Sequence, residues 1–357
     1  MNPDDAVEGS IVIVAKCPIP GKSKTRLIPL LGEEGSVRLA KCMLCDILKT
    51  IDGCPELRRV RKILLYAPGT PHGLERMEVI LAELGLKTAS RHEDSESHEN
   101  FCAWNLLPIS KTDLRSSDLG AKLGDALARV RVLEASRIDS ETNRHRKHGV
   151  VFLAMDAPIL PLDDIVSGLR CSSMTTAGIE TKKKIEKETP PLATLCPAED
   201  GGYAMLCVPP NADPSRTFLS ASSAAASSCM YWSHPWTGMS QLKALTDQNI
   251  GIRIGKIVQD IDEASDVEAL CRYLKVRFLP PSEGGEHEDE NDSIDDLTKN
   301  LNWPGGWSPS AASVTTDAAD GVCEDAAGSL KQSLVTSSHP TCHFTRRALQ
   351  EAMGGGS

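Results

Sequence analysis

The chain has 357 residues, 40% of them apolar, enough for one large domain or two small ones around a real core. Aromatic residues make up 4% and the net charge is −10, which argues against a stacking-based carbohydrate surface and against a nucleic-acid partner. No apolar run approaches the roughly 20 residues that span a bilayer, the N-terminus is polar and acidic, and the 12 cysteines are irregularly spaced; these features predict a cytoplasmic protein with reduced, mostly buried thiols and no membrane contact.

The acidity is uneven. Residues 283–296 are dense in carboxylates, whereas the first 30 residues are rich in Lys and Arg. In chain order, residues 11–15 form an unbroken apolar run, the mark of a strand buried on both faces. Helical spacing of Ala40, Met43, Leu44, Ile47, Leu48 and Ile51 predicts a helix over 35–51. A strand follows at 61–67, then a helix at 74–84 stopped by Gly85. The stretch 92–114, polar and rich in His, Glu and Ser at first, reads as an insertion. Asp118 caps a third helix carrying Leu119, Leu123, Leu127 and Val130. A strong strand at 149–155 precedes a short helix at 163–169, and a second insertion lies at 171–190. Two short strands flank Gly201 and Gly202. A helix at 240–249, a strand at 251–258 and a helix at 264–274 complete the pattern. Strands alternating with helices predict a three-layer α/β/α sandwich with a mostly parallel sheet over residues 1–278. Residues 279–357, acidic and then Ser/Ala/Gly-rich, predict a disordered tail.

Four segments could carry chemistry. The first is the loop "AKCPIPGKSKTRL". Its Gly21-Lys22-Ser23 is not a P-loop, because the position five residues before Gly21 holds Lys16. It still gathers Lys16, Lys22, Lys24 and Arg26 after a strand, with Pro18 stiffening the turn and Gly21 allowing close backbone approach. In parallel sheets, ligands bind beyond the carboxyl ends of strands. The loop therefore suits a phosphorylated ligand, with a solvated basic loop as the alternative. The second is "MDAPILP", which puts Asp156 just after the strongest strand. A carboxylate there is placed for Mg²⁺, which takes one or two carboxylates plus phosphate oxygens; a turn aspartate is the alternative. The third is "PAEDGGYAML". Asp200 and the two glycines make either a hairpin turn or a substrate-facing wall. The fourth is "QDIDEASDVEAL", in which Asp260 and Asp262 flank one position and Asp266 suits a helix cap.

Together with "DLGAKLGDAL" and "SHPW", these segments resemble, in the same order, a bacterial glycosyltransferase-like family of formerly unknown function linked to arsenosugar biosynthesis. The resemblance covers about residues 11–274. It implies the nucleotide-diphospho-sugar transferase (GT-A) fold, shared with phospholactate and molybdenum-cofactor guanylyltransferases. Carried over, Lys16, Pro18, Gly21, Lys24, Arg26, Asp118 and Gly120 would meet the nucleotide, and Asp156 and Asp262 would hold Mg²⁺ or Mn²⁺. Gly201, Gly202, Tyr203 and Trp236 would face the acceptor. Asp200, Lys24 and Arg26 would be catalytic, with Asp200 as base. One departure stands out: the family's usual Gly-Thr-Asp-Ser-Pro-Asp is here Ala154-Met155-Asp156-Ala157-Pro158-Ile159.

The implied activity is a metal-dependent glycosyl transfer from a nucleotide sugar to a small acceptor. A nucleotidyltransferase that uses a nucleoside triphosphate and releases pyrophosphate is an alternative. A non-catalytic nucleotide-binding or scaffold protein, whose tail meets a partner of unknown kind, is another. Cys42 and Cys45 share a predicted helix and read as core rather than as a metal pair. Cys342 with its neighbours His339 and His343 reads as accidental. Trp303 and Trp307 suit either docking of the tail onto the domain or binding of a partner.

Overall fold

The alternation of strands and helices closes into one seven-stranded sheet in the order β3-β2-β1-β4-β6-β5-β7. The computed structural model describes residues 6–89, 103–109, 118–135, 148–173, 191–219, 230–276 and 342–353. The strands are β1 (Gly9–Lys16), β2 (Val60–Ala67), β3 (Trp104–Pro108), β4 (Val150–Ala154), β5 (Leu192–Pro197), β6 (Tyr203–Val208) and β7 (Gly251–Ile254). All pairings are parallel except those of β6, which runs against β4 and β5.

The apolar run of β1 explains the layering. Ile11 and Ile13 point to one face and pack with α1 (Ile28–Asp52), α2 (Pro71–Glu83) and α4 (Leu162–Ser172). Val12 points to the other and packs with α3 (Leu119–Ala135) and α6 (Thr237–Thr246); the one-turn α5 (Pro214–Thr217) touches both of these helices. A strand of period two with apolar residues at every position must be covered on both sides, so the sandwich follows from the sequence of β1.

Several boundaries differ from the sequence reading. α1 begins at Ile28, seven residues before position 35, with a break at Gly32 whose φ is 70°. α6 starts at Thr237, and β7 ends at Ile254, although Val258 still bridges Ala198. The supposed insertion at 92–114 contributes a strand. β3 pairs in parallel with β2, and Trp104 on it is fully buried. Residues 90–102 and 110–117, and 174–190 of the second expected insertion, lie outside the described residues.

The largest difference concerns the assigned tail. Residues 277–341, with Trp303, Trp307 and His339, lie outside the described residues. His343–Met353, however, is a helix, α8, of the same unit as the sheet. It packs with α1 and α7 (Ala264–Leu274) in a third apolar cluster. Its buried positions Thr345, Ala348, Leu349 and Met353 make a narrow stripe at helical spacing. Surrounding Ser/Ala/Gly composition hides that stripe. Cys45 is buried on α1 and Cys42 half-buried; both are free, and burial raises both thiols, Cys42 to about 11 and Cys45 to about 12. That is the behaviour of core thiols rather than of reactive ones.

Candidate functional site

β1 and β4 are neighbours, yet the chain runs outward from them in opposite directions, to β2 and β3 on one side and to β6, β5 and β7 on the other. Loops leaving the carboxyl ends of such a pair diverge and leave a crevice. The loop after β1 carries Lys24 and the loop after β4 carries Asp156. The β5–β6 turn, with Asp200, lies at the same edge because β6 is antiparallel. The segment after β7, with Asp260 and Asp262, reaches that edge too, its Ile261 N–H donating to Asp156 O at 3.0 Å.

The basic loop is built to present one lysine. Ser23 is buried beneath it; its hydroxyl accepts the Ile19 N–H at 2.9 Å and donates to Cys17 O at 3.3 Å. Gly21 takes φ 70°. Lys24 itself is left-handed, φ 48° and ψ 49°, a conformation uncommon outside glycine and typical of sites under functional constraint. This turn aims its ammonium inward. Lys24 Nζ lies 3.0 Å from Asp156 Oδ2 and 2.6 Å from Asp262 Oδ1. The lysine side chain is 10% exposed, Asp156 28% and Asp262 43%. Burial works to lower the Lys24 pKa, but the two carboxylates outweigh it and hold the ammonium above its ordinary value.

A further carboxyl completes the group. Burial, then the charges of Asp200 and Asp156, push Asp260 up to about 7. The sequence placed Asp260 beside Asp262 as flanking one position, but of this pair the resemblance carried a metal role over to Asp262 alone. Folded Asp260 therefore keeps a proton that the unfolded chain has lost, over the window from the ordinary carboxylate range to about 7. In that window the folded state binds more protons, so stability falls as pH rises. Melting curves in chelator between about pH 4.5 and 8 should show this fall, and Asp260→Asn should flatten it. A wild-type profile in the variant would overturn the assignment.

The remaining expected site residues divide into groups. Asp200 Oδ1 accepts the Gly202 N–H at 2.7 Å, and Gly201, φ 86°, accepts the Gly238 N–H on its carbonyl at 2.9 Å. This bond ties the Asp200 turn to the start of α6, where Trp236 is 48% exposed. Tyr203 turns toward the core instead, its hydroxyl donating to Gln241 Oε1 at 3.1 Å. Arg26 is exposed and meets Glu263 at 3.4 Å. Lys16 is exposed, its N–H donating to Met155 Sδ. Pro18 is buried, and its carbonyl accepts from Arg76. Asp118 caps α3 through the Gly120 N–H at 2.8 Å, and Gly120 packs tightly against Leu219 O and the Trp232 indole. Asp266 acts as the expected cap, accepting the N–H groups of Asp262 and Glu263 at 2.9 and 2.7 Å.

Among the described residues, no set of three His, Cys, Asp or Glu side chains is arranged to hold a metal ion. Two carboxylates do converge on one point, and the Lys24 ammonium sits there. The donor set fits a hard divalent cation completed by phosphate oxygens, provided Lys24 moves aside.

No family model matches the chain, and no curated protein matches it. A solved structure does: the "putative nucleotide-diphospho-sugar transferase" of Desulfovibrio desulfuricans G20, at 17% identity and a TM-score of 0.50, covering 75% of this chain and 87% of that one. At this identity the likeness establishes the fold: a mostly parallel sheet flanked by helices, as in that protein. Among the described residues, no helix is long and apolar enough to cross a membrane.

Proposed function

We propose that the chain is a transferase acting on a nucleotide-activated donor, moving a glycosyl group from a nucleotide-diphosphate sugar to the hydroxyl of a small acceptor. One observation carries the reading. A cation, the Lys24 ammonium, is held between Asp156 and Asp262 at the carboxyl edge of the sheet, beside the point where strand order reverses. An ammonium and two carboxylates together at that position offer what a diphosphate and its divalent counter-ion need.

In this reading Asp156 and Asp262 hold Mg²⁺ or Mn²⁺, which would supply Lewis-acid stabilisation of the departing nucleoside diphosphate. Lys24, freed from the two carboxylates, turns its ammonium to a phosphate oxygen as a point charge. Arg26 leaves its exposed partner Glu263 and offers a planar fork to the same diphosphate. Asp200 accepts the acceptor's proton. Trp236 gives the acceptor side a half-exposed apolar wall. The acceptor is a small molecule, and the protein works without nucleic acid or membrane.

A second reading is favoured by the same Lys24 geometry. If the ammonium stays between the carboxylates, it replaces the metal, and the chain binds nucleotides indifferently to Mg²⁺. A panel of nucleotides and nucleotide sugars, with and without Mn²⁺, separates the two readings by thermal shift. The transferase reading expects Mn²⁺-dependent stabilisation by a nucleotide sugar, about 2.7 kcal/mol at a hundred times its Kd. It also expects release of a nucleoside diphosphate; pyrophosphate released from a triphosphate would instead mark a nucleotidyltransferase. If no nucleotide stabilises the chain, the reading fails.

A further inference from the structure

The three segments that carry Lys24, Asp156 and Asp262 share more than an edge. Each sends one apolar side chain into the same cluster: Leu27 just past Arg26, Ile159 three residues past Asp156, and Ile261 between Asp260 and Asp262. Leu27 and Ile261 are fully buried there. Leu39 and Met43 of α1, and Val267, Leu270 and Cys271 of α7, line the same cluster. Leu349 and Met353 of α8 complete it. The carboxyl-edge site therefore rests on an apolar floor, and part of that floor comes from the last described helix of the chain.

α8 is seated by polar contacts of some specificity. Asp46, on α1 and 4% exposed, accepts the Phe344 N–H at 3.0 Å and the Thr345 N–H at 2.7 Å. These are first-turn amides of α8, which have no acceptor within their own helix. An anion also suits the positive end of a helix. Arg38 meets Glu351 at 2.8 Å on the outer side. Cys342, just before α8, directs its thiol to Pro158 O at 3.4 Å, on the Asp156 loop itself. An aspartate among Met43, Leu44, Ile47 and Leu48 would be costly to bury without such partners.

We propose that α8 is a positioning element for the candidate nucleotide site, and that Asp46 is the positioning residue that seats it. The assignment of the site as a nucleotide site rests on the reading above; the mechanical role of α8 does not. Close packing transmits a displacement of Leu349 and Met353 to Leu27, Ile159 and Ile261, because such a cluster has no slack to absorb it. The site carboxylates and Lys24 would then lose their register while the sheet stays folded.

The test compares full-length wild type with Asp46→Ala, Asp46→Asn and Leu349→Asp by hydrogen exchange and by pyrophosphate binding with Mn²⁺. In Asp46→Ala and Leu349→Asp, peptides spanning 24–28, 156–160 and 259–263 should exchange about tenfold faster, roughly 1.4 kcal/mol of local opening. Peptides of β1 and β4 should be unchanged. Asp46→Asn, which keeps one acceptor oxygen in place, should fall between. Pyrophosphate affinity should weaken in the same order. Unchanged site peptides beside a freely exchanging α8 overturn the proposal, as does loss of protection in β1 and β4 together with the site. Loosened site peptides with unaltered pyrophosphate affinity also overturn it. Failure of the wild type to bind pyrophosphate sinks the nucleotide reading alone, since exchange still decides whether α8 positions the three segments.

Discussion

Lys24→Met should lower the stability of the metal-free chain by about 2 kcal/mol and tighten Mn²⁺ binding by about tenfold or more. The two effects have one cause. In the wild type the ammonium bridges Asp156 and Asp262 at 3.0 and 2.6 Å and offsets half of their charge. Methionine keeps the aliphatic stem and removes the charge, so two carboxylates remain close to each other and to Asp260 with no cation among them. Removing one partner of a fully buried pair costs about 3–5 kcal/mol. Here Asp262 is 43% exposed and water screens it, so the expected loss lies below that range. A divalent cation entering the wild-type site must first displace the ammonium; in the variant it meets a bare pair of carboxylates. Urea unfolding in chelator reads the first effect and titration of free Mn²⁺ by its paramagnetic resonance signal reads the second. A variant that loses stability without gaining Mn²⁺ affinity would show that the two carboxylates hold the ammonium but no metal, even when the place is vacated. The second reading, in which Lys24 stands permanently for the metal, would then be preferred.

How much of this arrangement could be read from the chain depends on the range of the forces involved. Ile11 to Ala15 declares itself because a strand covered on both faces has no polar position to dilute the signal. Lys24, Asp156 and Asp262 are 132 and 238 residues apart along the chain for the two bonded pairs. Their meeting was still legible, since each follows a strand and parallel strands bring such loops to one edge. The direct Lys24 ion pair was not legible. It depends on a left-handed backbone at Lys24 and on Ser23 stapling the loop beneath, neither of which has a pattern in sequence. The direction of the Tyr203 ring was hidden for a similar reason: a bulge, with Pro197 opposite Tyr203 but Cys196 opposite Met205, breaks the alternation of β6 and puts the ring on the side of Leu206 and Val208, beside Gln241. β3 escaped notice because an edge strand is covered over part of its length, and the short apolar run that holds it, with Trp104, lies between the polar segments 92–100 and 110–117. α8 escaped because a four-residue stripe is weak evidence at the end of a low-complexity segment. Asp46 was the overlooked pointer to it. A carboxylate on the apolar face of α1 requires donors from elsewhere, and in this fold they come from 298 and 299 residues away.

Gly201→Val should cost about 3 kcal/mol or more, whereas Gly202→Ala, one residue on, should cost about 0.5 kcal/mol or less. Composition gives no reason to separate the two glycines; the backbone does. Gly201 has φ 86°, where a side chain is strained whatever surrounds it, and a branched one most of all. A Cβ there would also overlap Pro235 O and lie 2.8 Å from its carbonyl carbon. Segment 234–238 would have to retreat, and with it the bond from Gly238 N–H to Gly201 O. Gly202 has no such backbone neighbour. A Cβ there meets the Asp200 carboxylate at 2.9 Å, the far end of a side chain that can rotate. The contrast bears on chemistry, because the Gly201–Gly238 bond is what holds the Asp200 turn against the start of α6 and Trp236. In Gly201→Val these parts should separate, so donor turnover should fall further than stability alone would dictate, even at temperatures where the chain remains folded. Urea midpoints of both variants, with turnover measured well below their melting points, supply the comparison. Equal midpoints for the two would mean that residues 200–202 do not adopt this turn, and the placement of Asp200 at the crevice would fall with it.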